Sequence, residues 1–149
     1  MARKKQEEQE LEVLELEEAA GEVEEEIKEE LDPDMYDEEG NELLFPGGPT
    51  LNFVEQLKSL HGGEVYLTEF DEEVFLWRPI TRKEYKGVMK NKDADPYYKE
   101  ERLCEAVVLW PEKYNFIAMG NGKAGIPTLL AELVMEKSGF QAKRGAMRL

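Results

Sequence analysis

The net negative charge of this chain lies in its first 44 residues, and this partition constrains the fold more than any motif does. Residues 1–44 hold 19 acidic and four basic side chains, whereas residues 45–149 hold 15 of each. A segment with so much like charge cannot form a hydrophobic core of its own, because its ionised side chains repel one another and stay in water. The sequence therefore predicts an acidic arm with its linker (1–44), a balanced domain (45–140) and a basic tail (141–149).

The balanced domain is large enough to fold without cross-links, since about a hundred residues can bury a sufficient core. Cys104 is the sole cysteine, so no intramolecular disulfide can form and a reducing compartment is favoured. The acidic run begins soon after Lys5, which leaves no apolar segment for a secretory signal or a membrane span. We therefore expect a cytosolic protein with no membrane partner, and its acidity argues against direct nucleic-acid binding.

Apolar residues recur along one helical face of the arm at spacings of three and four. Glutamate favours a helix, but the density of like charge and Gly21 oppose a free one. We expect a partly helical arm whose apolar stripe becomes ordered on a partner. The candidate partner-binding residues of this stripe are Val13, Leu16, Val23, Ile27 and Leu31.

The balanced domain is predicted to be α+β, with a β-hairpin or small antiparallel sheet packed against three to four short helices. The two hairpin strands are expected over residues 64–70 and 73–78, joined by Asp71 and Glu72. Residues 114–119 are apolar but short, and are expected to form either a third strand or a half-buried loop. A hairpin this small is not stable alone, so its apolar face must pack on the helices.

Four helices are predicted from their starting residues, which are Asn52, Thr81, Asp95 and Pro127. The helix after Asp95 is expected to continue to Trp110, where Pro111 would stop it. The last helix is expected to end before Gly139. Its predicted buried stripe consists of Leu129, Leu130, Leu133 and Val134.

The motifs with a catalytic or ligand-binding interpretation each have a simpler explanation. Residues 120–125 fit the letters G-x-G-x-x-G, but Pro127 follows directly and no strand–helix–strand unit surrounds them, so a flexible loop is favoured over a nucleotide site. Cys104 lies on an apolar helix face, where an inert thiol is expected rather than a nucleophile paired with His61. No ligand spacing predicts a metal site. We therefore expect no enzyme, no cofactor and no metal.

Three cations lie where the second strand is predicted to meet a helix, namely Arg78, Arg82 and Lys83. A solvated helix start would explain them, but cations in the first turn oppose the helix dipole. We therefore expect an acidic surface to face them, on a partner or on the arm itself. This makes all three candidate partner-binding residues.

The same segment carries a resemblance to a known family. Residues 75–85 read Phe-Leu-Trp-Arg-Pro-Ile-Thr-Arg-Lys-Glu-Tyr. They resemble the F-x-x-R-P-[LI]-T-R-K-E-Y stretch of small proteins from tailed bacteriophages, described as tail assembly chaperones or small tail-associated proteins. Residues 104–111, 124–129 and 138–140 follow in the order and spacing of that family. The resemblance covers under half of the chain, leaves out the arm and implies no catalytic residue.

The resemblance implies a non-enzymatic role in tail morphogenesis, as a chaperone-like protein that binds another virion protein in the host cytoplasm. The implied partner is a tail tape-measure, tail tube or baseplate protein, and a homo-oligomer is a further alternative. Two other functions stay open. One is a permanent structural protein of the virion whose arm laces subunits together, and the other is an acidic DNA mimic that inhibits a host enzyme.

Overall fold

The computed structural model describes residues 32–149. The apolar stripe of the arm lies outside the described residues, so the binding role of Val13, Leu16, Val23, Ile27 and Leu31 stays a prediction. The chain divides after Leu51 into two compact units, and each is described by itself. The predicted boundaries at residues 44 and 140 also stay predictions.

The described part of the first unit is built from tight turns. A 3-10 helix spans Pro33–Met35, and the Asp32 carboxylate accepts a hydrogen bond from the Asp34 backbone N–H at 3.0 Å. Two isolated bridges follow, Tyr36 with Glu42 and Leu43 with Thr50. The predicted linker is therefore a paired, turn-rich segment rather than an extended one.

The second unit combines helices with a small sheet. Its sheet contains β1 (Tyr66–Glu69), β2 (Val74–Trp77) and β3 (Val108–Trp110), all antiparallel and in that order. The helices, of which the first begins at the unit boundary, are α1 (Leu51–Leu60), α2 (Arg82–Met89), α3 (Pro96–Val107) and α4 (Gly125–Lys137). This architecture confirms the predicted α+β fold class.

The predicted hairpin forms, and the structure gives the register that the sequence left open. Leu67 pairs with Leu76, and the Phe70 backbone N–H donates to the Glu73 carbonyl at 2.7 Å, so Asp71 and Glu72 alone make the turn. Of the two alternatives for residues 114–119, the structure shows the half-buried loop and not the strand. The third strand is β3, because the chain leaves α3 after Val107 and immediately pairs with β2 instead of continuing as a helix to Trp110.

Two helix starts follow the predicted capping chemistry and two do not. Thr81 caps α2 with a capping box, and Asp95 caps α3 by accepting from the Tyr98 N–H at 2.8 Å. The Asn52 prediction is wrong by position, since α1 already begins at Leu51 and Asn52 lies inside it. Similarly α4 begins at Gly125, two residues before Pro127.

The core of the second unit lies between the sheet face that carries Phe75 and Trp77 and the helices α3 and α4. Its buried residues beyond that face are Ile80, Leu103, Cys104, Val107, Phe116, Ile126, Leu130, Ala131 and Val134. The predicted stripe on α4 is half wrong, because Leu129 and Leu133 are exposed. The helix has two neighbouring apolar stripes, one with Leu130 and Val134 and one with Leu129 and Leu133. Its orientation in the fold buries only the first.

The orientation of α4 predicts that alanine substitutions at two adjacent leucines lower the free energy of unfolding by different amounts. Leu130→Ala should lower the free energy of unfolding by about 2–5 kcal/mol, because the side chain is 0 % exposed and a cavity would remain. Leu129→Ala, at 52 % exposed, should change it by less than about 1 kcal/mol. Urea denaturation of both variants measures the difference, and equal costs would contradict this packing.

Candidate functional site

Arg78 makes several of the polar side-chain contacts of residues 75–85, the segment that carries the family resemblance. Its guanidinium donates to both carboxylate oxygens of Glu84 at 2.8 Å, and to the Ala106 carbonyl at 3.1 Å. It also donates to the carbonyl of Pro79 at 3.2 Å. Arg78 therefore joins the end of β2 to the start of α2 and the end of α3, and all these contacts lie within the second unit.

Glu84 receives this guanidinium and also closes the capping box of α2. Its Oε1 accepts from the Thr81 backbone N–H at 3.2 Å and from the Thr81 hydroxyl at 2.9 Å, while the Thr81 hydroxyl oxygen accepts from the Glu84 N–H at 3.3 Å. Hydrogen bonds from Arg78 lower the pKa of the Glu84 carboxyl to about 2, against the burial that raises it. The charge that offsets Arg78 is thus Glu84.

The remaining cations of α2 are free of such contacts. Arg82, Lys83, Lys86 and Lys90 are exposed, and within residues 32–149 none of them forms an ion pair. Because Arg82, Lys86 and Lys90 are spaced by four, they share one side of the helix, which Lys83 adjoins. We call this surface the cationic face. The binding role predicted for Arg78, Arg82 and Lys83 stays a prediction, although the Arg78 guanidinium also makes contacts within the second unit.

A small aromatic hollow lies beside the cationic face. The ring of Phe140 meets the ring of Tyr85 edge-on with centroids 4.9 Å apart, and the Ser138 hydroxyl oxygen accepts from the Ile80 N–H at 2.9 Å. The hollow, of about 210 Å³, also touches Arg82. Segments far apart in the sequence, 78–85 and 138–140, therefore form one surface.

The other residues considered for chemistry have structural contacts. The Cys104 thiol is buried and donates to the Pro127 carbonyl at 3.3 Å, and burial raises its pKa, which disfavours the nucleophilic thiolate. His61 directly follows α1. The loop 120–125 leads into α4, but the described sheet is wholly antiparallel, so the loop lacks the strand–helix–strand setting of a dinucleotide site.

A second surface was missed by the sequence analysis. It is a pocket of about 360 Å³ that we call the acidic–aromatic pocket. Its walls and rim include Tyr97, Tyr98, Tyr114, Phe116, Ile117 and Met119, with the carboxylates of Glu73 and Glu101. In the sequence, only the adjacent Tyr97 and Tyr98 at the start of α3 could have indicated this pocket. Its other wall, residues 114–119, is brought against them by the tertiary packing.

Other comparisons and searches add no further site. No helix in the described part of the chain is long and apolar enough to cross a membrane. Residues 32–149 contain no group of three or more His, Cys, Asp or Glu side chains arranged to hold a metal ion. Comparison with protein-family models, curated proteins and solved structures found no match for the chain.

The Arg78–Glu84 pair predicts a pH-dependent stability. The Glu84 carboxyl has a folded pKa of about 2, below its ordinary 4.5, so the stabilisation is complete above pH 4.5 and is lost as the pH falls towards 2. Glu84→Gln should lower the free energy of unfolding by roughly 1–3 kcal/mol at neutral pH. The gap between the two proteins should narrow across that acidic window, as measured by urea denaturation at several pH values.

Glu55→Gln is the matched control, because Glu55 forms only an exposed ion pair with Lys58 at 2.9 Å. Such pairs contribute roughly 0–1 kcal/mol. A Glu84→Gln gap that is as small as the control, or that does not change with pH, would show that Arg78 is not held through this carboxylate.

Proposed function

We propose that the chain is a non-enzymatic tail-morphogenesis protein of a tailed bacteriophage, and that it acts as a chaperone-like binder of another virion protein in the host cytoplasm. The resemblance of residues 75–85 supplies the family. The observation that carries a binding role is the cationic face, since its four side chains contribute no ion pair to the described domain.

The cationic face fits a protein partner for a physical reason. Surface charges that are not paired within the fold remain available to a partner, and such a patch attracts a complementary acidic surface and orients it. The aromatic hollow of Tyr85 and Phe140 lies beside these charges. Together they offer a polar rim and an apolar contact, which is the usual composition of a protein interface.

The proposed partner is a tail tape-measure, tail tube or baseplate protein. As a chaperone-like binder, the chain would shield an aggregation-prone partner such as the long tape-measure protein. The acidic arm would keep the complex soluble through its charge. Its predicted apolar stripe would dock on the partner as a helix.

The first test is co-expression of the full chain with the tape-measure protein encoded in the same genome. Recovery of a soluble complex supports the proposal, whereas an insoluble tape-measure protein and no complex would contradict it. Finding the chain in purified virions at a fixed copy number would favour the permanent structural role instead.

The cationic face predicts a selective loss of binding. Arg82→Ala combined with Lys83→Ala should weaken the complex by about three- to tenfold, because two partner-facing charges are removed. Thermal unfolding should be almost unchanged, since neither side chain pairs within the described domain. Lys92→Ala with Lys143→Ala is the matched control, with the same change of charge at exposed positions outside α2. Equal binding by both double variants would contradict a role for this face.

The proposed role of the arm predicts that its apolar and its charged residues contribute to partner binding in different ways. Val23→Ser with Ile27→Ser interrupts the apolar stripe at constant charge, and should reduce binding at every salt concentration. Changing Glu24, Glu25 and Glu26 to Gln should reduce binding mainly below about 0.1 M salt, where screening is weak. If only the glutamine variant loses binding, the arm acts as a polyanion and the DNA-mimic alternative is favoured.

A further inference from the structure

The acidic–aromatic pocket is assembled from four segments of the second unit, one of which is Glu73 directly before β2. One face of α3 contributes Tyr97, Tyr98 and Glu101, which are three and four residues apart and therefore neighbours on the helix. The segment after β3 contributes the opposite wall, where Tyr114 packs edge-on against Phe116 at 4.7 Å between centroids. The start of α4 closes the pocket through Ile126.

Most polar groups around this pocket are already satisfied. The Tyr97 hydroxyl donates to the Ala124 carbonyl at 2.9 Å, and the Tyr114 hydroxyl donates to Glu73. Lys123 is paired with Asp71 at 2.8 Å, so its charge is matched. These contacts fix the walls and leave little hydrogen-bonding capacity for a neutral polar ligand.

The carboxylates of Glu105 and Asp95, whose charges act on Glu101, also accept hydrogen bonds already. Glu105 accepts from the Phe116 N–H at 3.1 Å and from the Arg102 guanidinium at 3.2 Å, while Asp95 caps α3. Glu101 differs from both, because within residues 32–149 its carboxylate forms no hydrogen bond and no ion pair. Burial, together with the charges of Glu105 and Asp95, raises the pKa of the Glu101 carboxyl. A cation beside Glu101 would relieve both the repulsion and the lost hydration.

The rings favour a planar cation. Aromatic faces attract guanidinium and ammonium groups, and the guanidinium also stacks on them through its flat surface. The molecule already contains one such contact, since the Arg102 guanidinium lies 5.4 Å from the centre of the Tyr98 ring. Ile117 and Met119 are exposed at the rim, so the neighbours of the bound cation would be apolar.

We propose that the acidic–aromatic pocket binds an arginine side chain, flanked by apolar residues, that projects from a partner protein. The guanidinium would pair with Glu101 and stack on the tyrosine rings, while the flanking residues cover Ile117 and Met119. The site is distinct from the cationic face, whose charge is opposite. Its chemistry is also independent of the proposed role in tail assembly.

The test is an NMR titration of the full chain, labelled with ¹⁵N, with the peptide acetyl-Leu-Arg-Leu-amide. We expect saturable shifts centred on the amides of Tyr98, Glu101 and Tyr114. The same peptide with citrulline in place of arginine is the key comparison, because citrulline keeps the shape and removes the charge. It should bind about fivefold more weakly. Equal binding of the two peptides, or shifts located elsewhere, would overturn the assignment.

A pair of protein variants separates the pocket from the general acidity of the chain. Glu101→Gln should weaken the arginine peptide about fivefold and so reduce its advantage over the citrulline peptide, leaving only the contribution of the rings. Glu136→Gln, an exposed carboxylate of α4 outside the pocket, removes the same charge and should leave both affinities unchanged. If both variants weaken the arginine peptide equally, the attraction is nonspecific and the proposal fails. A lysine peptide that binds more tightly than the arginine peptide would also overturn it.

Discussion

The buried ring of Phe75 is the contact on which the second unit depends. Strands of three and four residues are not stable in isolation, so the sheet persists only through what covers it. Phe75 is fully buried, and its ring lies 5.0 Å from that of Tyr114 and 5.8 Å from that of Phe116. The same packing that holds the hairpin therefore orders the segment after β3, and that segment forms a wall of the acidic–aromatic pocket. A ligand there would meet walls already fixed by the core, which lowers the entropic cost of binding.

The Arg78–Glu84 pair has a comparable effect on α2. A helix of eight residues is marginal alone, and its arginine- and lysine-rich first turn opposes its own dipole. Glu84 offsets this with one carboxylate that caps the helix and accepts both guanidinium nitrogens of Arg78. Because Arg78 also reaches the carbonyl of Ala106, the orientation of α2 is fixed relative to α3. The Arg78–Glu84 pair thus fixes the helix that carries the other cations, and it leaves those cations unpaired within residues 32–149.

Features that depend on interactions between nearby residues could be predicted from the sequence, whereas features that depend on distant residues could not. Thr81 and Asp95 were predicted as caps because each acts on a backbone group within three residues. Residues 108–110 were missed as a strand because their extended form depends on pairing with β2, about thirty positions away, which outweighs the local helical pattern. The acidic–aromatic pocket was missed for the same reason, since Tyr98 and Tyr114 meet only through tertiary packing.

The charges of the domain also bear on the DNA-mimic alternative. Such a mimic needs carboxylates arrayed at the surface like phosphates, yet several of those in the second unit are engaged. Glu84 binds Arg78, Glu105 binds Arg102, and Asp71 binds Lys123. Glu73 accepts from Tyr114, and Glu100 accepts from Thr128. The DNA-mimic alternative places its phosphate-like array on the acidic arm, whereas the second unit contributes one cationic face and one acidic–aromatic pocket. That combination suits selective protein contacts better than mimicry of a uniform polyanion.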